Sequence, residues 1–213
     1  MSKKPLVTIV EDYLLENQFK PGSKLENELE LAERFNVSRN SMREVMTHFQ
    51  FLGIIERTKN TGSFINQQSC GKLEEVVSFC FQLSGFGFEE LKEARLHLEM
   101  AIIPLIIRRA TPETIAKLKD NIELMLTHKG HAERADKLDK EFHLLLFEIC
   151  GNRALKIFAN ILNPLFRKRH RERFLNPTAV LKSARDHKQL VAAIEEENLQ
   201  RAQDIIKLHI SPT

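Results

Sequence analysis

From residue 73 onward, apolar residues recur at three- and four-residue spacing, broken by separators such as Ser84-Gly85-Phe86-Gly87, Thr111-Pro112, Gly151-Asn152 and Asn176-Pro177. That period marks helices with one buried face, and glycine, asparagine and proline at the breaks stop one helix and start the next. The punctuation predicts helices over about 73–83, 88–109, 112–128, 132–150, 152–174, 178–196 and 198–210, an all-α helical bundle of six or seven helices. The first 66 residues have shorter elements of mixed type, and Asn-Gln-Gln-Ser-Cys-Gly at 66–71 interrupts the apolar pattern. Two domains are expected, 1–66 and 73–213, joined by a linker over 67–72.

With 42% hydrophobic and 29% charged residues the chain can bury a core, which excludes disordered, collagen-like and mucin-like classes. The longest nearly unbroken apolar run, Met100 to Ile107, contains Pro104 and falls far short of the ~20 residues that cross a bilayer. The start, Met1-Ser2-Lys3-Lys4-Pro5, is followed by Leu6 to Val10 and then Glu11-Asp12, so the apolar core of a secretory signal is missing and a cytoplasmic protein is expected. Cys70, Cys80 and Cys150 form no close pair, which fits reduced, mostly buried thiols better than a disulfide frame or zinc knuckle. The net charge of +3 belongs wholly to residues 67–213, because residues 1–66 hold nine basic and nine acidic side chains. Any nucleic-acid binding by the first segment therefore rests on local placement of charge and predicts a modest salt dependence per subunit.

Within that segment Leu6, Ile9, Val10, Tyr13 and Leu14 share a helical stripe that stops before Phe19-Lys20-Pro21-Gly22-Ser23. A second helix is expected from Glu28 to Phe35 behind Asn27 as N-cap, burying Leu29, Ala32 and Phe35, with Asn36 in a left-handed turn. A third begins at the N-cap Ser38 and turns Met42, Val45, Met46 and Phe49 inward, leaving Arg39, Asn40 and Arg43 outward. Ile54 to Arg57 and Ser63 to Ile65 read as two strands joined through Lys59-Asn60-Thr61-Gly62. Three helices and a hairpin make a winged helix-turn-helix, whose third helix presents its N-terminal end to a major groove about 12 Å wide. Arginine there can donate two hydrogen bonds to guanine, and Asn40 or Ser41 can reach a base edge or phosphate, with Lys59, Asn60 and Thr61 at the wing tip. The same arrangement also serves as a protein interaction module.

The stretches Phe19-Lys20-Pro21-Gly22-Ser23-Lys24-Leu25, Glu28-Leu29-Glu30-Leu31-Ala32, Val37-Ser38-Arg39, Met42-Arg43-Glu44-Val45 and Thr61-Gly62-Ser63-Phe64-Ile65 resemble the N-terminal domain of GntR-type bacterial transcriptional regulators. The resemblance implies DNA contacts at Ser38, Arg39, Asn40, Ser41 and Arg43 and at the wing residues Lys59, Asn60, Thr61 and Gly62. Two departures stand out: Leu29, where many members have a basic or polar residue, and Asn60, near a position where glycine is common.

In the helical part, polar residues interrupt the apolar stripes. Asp139, Phe142, His143, Leu146 and Cys150 share one inward face; Val180, Ala184, His187, Val191 and Ile194 share another; Ala202, Ile205, Ile206 and His209 share a third. One inward histidine is usually a hydrogen-bonded core residue. Three, with an aspartate one turn from the first, also suit a divalent metal: zinc first, with nickel or manganese as alternatives. A metal would neutralise the buried carboxylate.

The motifs Ala94-Arg95-Leu96-His97-Leu98-Glu99, Asp139-Lys140-Glu141-Phe142-His143, Gly151-Asn152, Asp186-His187 and Leu208-His209 resemble the FCD ligand-binding domain of the FadR subfamily of GntR regulators. That resemblance implies Asp139, His143, His187 and His209 as metal ligands, with one or two positions left for water or an effector carboxylate. It also makes Arg95 a candidate anchor for an anionic effector, against a structural pair with Glu99 at i+4. The basic run Arg167-Lys168-Arg169-His170-Arg171-Glu172-Arg173 reads as a solvated helix end, although Phe158, Leu162, Leu165 and Arg169 share a stripe that would aim Arg169 at an effector pocket.

The combined expectation is a homodimeric repressor that binds a double-stranded DNA operator under control of a small organic acid. The alternatives are a regulator whose signal is the metal itself, and a metal-dependent hydrolase. Against the hydrolase, no second inward carboxylate is placed as a general base.

Overall fold

The computed structural model describes residues 4–58, 61–67, 71–162, 172 and 174–211. The chain folds as two compact units, Met1–Val77 and Ser78–Thr213.

The first unit holds α1 (Leu6–Glu16), α2 (Glu28–Arg34), α3 (Arg39–Phe51), β1 (Ile55–Thr58) and β2 (Gly62–Ile65). Helix α2 starts in a capping box: Asn27 Oδ1 accepts from the Leu29 and Glu30 amides, and Glu30 Oε2 accepts from the Asn27 amide. Asn36 lies at φ 51°, the left-handed geometry that lets the chain turn sharply into α3. Ser38 caps α3 by accepting from the Ser41 amide at 3.0 Å. Met42, Val45, Met46 and Phe49 are buried, as their spacing predicts, and pack with Val10, Leu25, Leu31, Ala32 and Ile55.

The α2 stripe differs from expectation. Leu29 is 51% exposed and Leu31 is buried in its place. With 3.6 residues per turn, Leu31, Ala32 and Phe35 form the inward face, which leaves Leu29 on the outer side. Strands β1 and β2 pair antiparallel with Ile55 opposite Ile65 and Thr58 opposite Gly62.

In the second part of the chain α4 (Gly71–Leu83) runs across the division between units and is followed by α5 (Phe88–Arg109), α6 (Pro112–Thr127), α7 (Ala132–Ile149), α8 (Arg153–Leu162), α9 (Pro177–Glu195) and α10 (Leu199–Ile210). Helix α9 packs on α10 and α6, α5 packs on α10 and α7, and α6 packs on α7. The interior is aliphatic, built from residues such as Ile102, Ile106, Leu118, Leu146, Leu190 and Ile206. The expected helix over 152–174 is described only to Leu162, and Arg169 and Leu165 lie outside the described residues. Phe158, expected on the inward stripe, is 54% exposed, whereas Leu162 is buried. Of the thiols expected to be mostly buried, Cys150 is buried and Cys80 is exposed on α4, while Cys70 lies outside the described residues.

Phe49 is fully buried, so Phe49→Ala should lower stability by about 3–5 kcal/mol through lost transfer energy and a cavity. Leu29→Ala should stay within about 0.5 kcal/mol, as exposed positions do. Urea unfolding of the two variants, followed by circular dichroism, separates these outcomes.

Candidate DNA-binding face and buried histidine centre

The N-terminal end of α3 and the wing border a cleft of about 690 Å³ lined by residues that include Lys24, Glu28, Arg39, Arg57 and Thr61. Arg39, Asn40 and Arg43 are exposed there, as are Thr61 and Gly62. Lys59 and Asn60 lie outside the described residues. The Ser38 and Ser41 hydroxyls lie 2.8 Å apart and bond each other, so both help shape the start of the helix. Glu28, not singled out by the sequence patterns as a contact, is the acidic hub of this face. Its carboxylate meets Arg43 at 3.2 Å and Arg57 at 2.9 Å. One carboxylate thereby joins α2, α3 and β1, holding two guanidinium groups in defined positions beside the cleft.

In the helical unit, Asp139 and His143 project from consecutive turns of α7, His187 from the middle of α9 and His209 from the end of α10. All four are buried, and one ligand atom from each lies within 4.8 Å of the others. The His143 and His187 ring centres are 5.3 Å apart, and those of His187 and His209 are 4.9 Å apart. Phe142 stacks flat on His187 with centroids 3.7 Å apart, which fixes that ring on one side.

Three further polar groups orient the cluster. His143 Nδ1–H donates to Glu99 Oε2 at 2.7 Å, since an ionised carboxylate only accepts, and this turns His143 Nε2 toward the other three residues. His209 Nδ1 donates to Asp186 Oδ2 at 3.1 Å. Ser183 donates its hydroxyl to Asp139 Oδ1 at 2.6 Å. Glu99 is in turn held by Arg95, whose Nε donates to Glu99 Oε1 at 2.7 Å on the same helix. The expected i+4 pair of Arg95 and Glu99 is therefore formed, and both residues are buried.

Burial works to raise the Glu99 carboxyl, but His143 and Arg95, by charge and hydrogen bond, hold it down at about 2. Burial pushes His143 below its ordinary value, against the pull of Glu99. His187 goes well below its ordinary value through burial and the like charge of His209. Neutral imidazole is the form that ligates a metal.

The fit to a metal rests on orphaned donor atoms. His143 Nε2 and both ring nitrogens of His187 are buried without a hydrogen-bond partner among the described residues. Buried polar atoms are rarely left so, and an ion among them would satisfy His143 Nε2 and one nitrogen of His187 while offsetting the Asp139 charge. Sequence reasoning found the four central residues and the Arg95–Glu99 spacing. It did not find the roles of Glu99, Ser183 and Asp186 as orienting groups; Ser183, one turn before His187 on the inward face, carried the weak signal of a small polar residue in an apolar stripe.

Residues 4–65 match the family of bacterial regulatory proteins called gntR, and residues 90–212 match the FCD domain. The chain is 25% identical over 199 residues to the HTH-type transcriptional regulator LutR of Bacillus subtilis, covering 91% of each chain. It is 25% identical over 221 residues to the Uxu operon transcriptional regulator of Escherichia coli, covering 95% of this chain and 81% of that one. A solved structure, Streptococcus agalactiae GntR, shares the fold with a TM-score of 0.64 and 24% identity, covering 96% of this chain and 94% of the other. A winged helix with an exposed cationic helix end, followed by the helical FCD domain, places this chain in the gntR family as a DNA-binding transcriptional regulator, not an enzyme.

Proposed function

We propose that this regulator binds its operator as a homodimer and acts as a repressor, and that a small organic anion bound at or near a divalent metal in the helical domain controls it. One observation carries the reading: four buried side chains from three helices bring ligand atoms within 4.8 Å of one another, with His143 Nε2 and both His187 ring nitrogens lacking hydrogen-bond partners among the described residues. Asp139, His143, His187 and His209 would hold the metal, zinc being favoured by this nitrogen-rich set, with nickel or manganese as alternatives. When bound, such an ion offers a Lewis-acidic position for an anionic oxygen.

The chain's own residues do the rest. Glu99, Asp186 and Ser183 hold His143, His209 and Asp139 in place, and Arg95 adds a buried positive charge behind Glu99. Arg95 is the described candidate for drawing in a carboxylate, and Arg169 remains an expectation from the sequence. On the DNA side, Arg39, Asn40 and Arg43 would face the major groove from α3, with Ser38 and Ser41 shaping the helix start and meeting phosphate. Thr61 and Gly62, with Lys59 and Asn60, would approach from the wing. Exposed large apolar side chains of the helical unit, Phe79, Leu83 and Leu175, support assembly through that part of the chain. A two-fold dimer matches a pseudo-palindromic operator, and an effector changes DNA affinity only by binding the dimer's two states unequally.

Ser183→Ala and Glu99→Gln should each weaken metal affinity by about 10–100-fold, as loss of an orienting partner does, read by competition with a chromophoric chelator. For the effector, small carboxylates are screened on metal-loaded protein and on His187→Ala. The expected hit raises the melting temperature of the first alone and lowers its affinity for an operator selected from random duplexes. Unchanged DNA affinity with every ligand that stabilises the protein would sink the organic-effector reading. Loss of the DNA response on chelation, restored by metal alone, would favour the metal itself as signal.

A further inference from the structure

The loop between α1 and α2 does more than connect helices. The Gly22 amide donates to Ile65 O at 2.8 Å, the Ile65 amide donates to Ser23 O at 2.8 Å, and the Leu25 amide donates to Ser63 O at 2.9 Å. Lys24 pairs with Phe64 as a single antiparallel bridge, so this stretch lies beside β2 at the base of the wing. The Lys24 stem passes over Gly62, where a Cβ would meet Lys24 Cε at 3.4 Å. Lys24 thus shares the cleft with Arg39 and Thr61.

The acids around it are already engaged. Glu28 meets Arg43 and Arg57, and Glu30 Oε2 accepts the Asn27 amide in the capping box. Lys24 is exposed and makes no ion pair among the described residues, whereas two of the cleft's arginine neighbours are held by Glu28. An ammonium group on a stem packed over glycine, fixed to the wing by three backbone hydrogen bonds, is a point charge suited to a phosphate oxygen.

We propose that Lys24 is a DNA-backbone contact of the wing base, binding a phosphate independently of sequence. The inference rests on the reading that α3 and the wing form the DNA face. Its role differs from base recognition: it supplies affinity and salt dependence in a domain whose charges, Lys24 included, sum to zero, and it fixes how the wing seats on the duplex.

The test is fluorescence anisotropy with the full-length protein and a labelled random-sequence duplex, titrated between about 50 and 200 mM salt. Lys24→Gln should weaken binding and reduce the slope of log affinity against log salt by about 0.9 for each winged helix engaged, one phosphate's worth. Lys24→Arg should keep the wild-type slope, and Lys20→Gln, exposed in the same loop but away from the cleft, should leave it unchanged. An unaltered slope in Lys24→Gln alongside a loss in Arg39→Gln would overturn the assignment of Lys24 and leave the DNA face standing. No loss in either variant would overturn the reading of the face itself. An equal loss in Lys20→Gln would show general charge reduction and likewise overturn the Lys24 contact.

Discussion

The helical domain is organised around one costly group, the Asp139 carboxylate, which is 1% exposed inside an aliphatic bundle. An isolated buried carboxylate is strongly disfavoured, so its surroundings must offset the loss of water. Ser183 supplies a hydrogen bond, and three imidazoles face it. Burial pushes His143 and His187 below their ordinary values, which disfavours the cationic form at both. A cation among the four would answer both the buried charge and the unpartnered rings, taking lone pairs from the rings and offsetting the charge of Asp139. Helices α7, α9 and α10 supply the four residues, and α5 contributes Glu99 and Arg95 behind His143.

The DNA-binding half handles charge in the opposite manner. Its charged groups stay at the surface, where single ion pairs contribute little to stability and can be exchanged for phosphate. Glu28 gathers Arg43 and Arg57 without burying them deeply, which defines where the two guanidinium groups stand. Rigidity comes instead from Phe49, Met42 and Met46 beneath α3 and from the three backbone hydrogen bonds that tie the Gly22–Leu25 loop to β2. A neutral domain can in this way present a locally cationic edge.

Much of this was legible in the sequence wherever periodicity and end signals agreed. Ser38 followed by Met42, Val45, Met46 and Phe49 specifies α3 and its inward face, and Asn27 with Glu30 specifies the start of α2. The four residues of the histidine centre were legible because each interrupts an apolar stripe, even though they lie as far apart as Asp139 and His209. Leu29 was misplaced because a seven-residue helix has too few turns for the phase of its stripe to be unambiguous. The orienting roles of Glu99 and Ser183 were hidden by distance: each lies 44 residues from the side chain it holds, and pattern rules see neighbours within a few turns. The place of Lys24 was hidden for a similar reason, since only the pairing of its loop with β2 brings it to the cleft.

The central claim is that Asp139, His143, His187 and His209 form a metal centre. Elemental analysis by plasma mass spectrometry of protein purified without chelators, beside His187→Ala prepared identically, tests it most directly. The account predicts about one equivalent of a divalent transition metal per wild-type chain and a large loss in the variant, in line with a closed set of nitrogen and oxygen ligands. Wild-type protein with no metal above background, and with an affinity for added zinc no greater than that of His187→Ala, would contradict it.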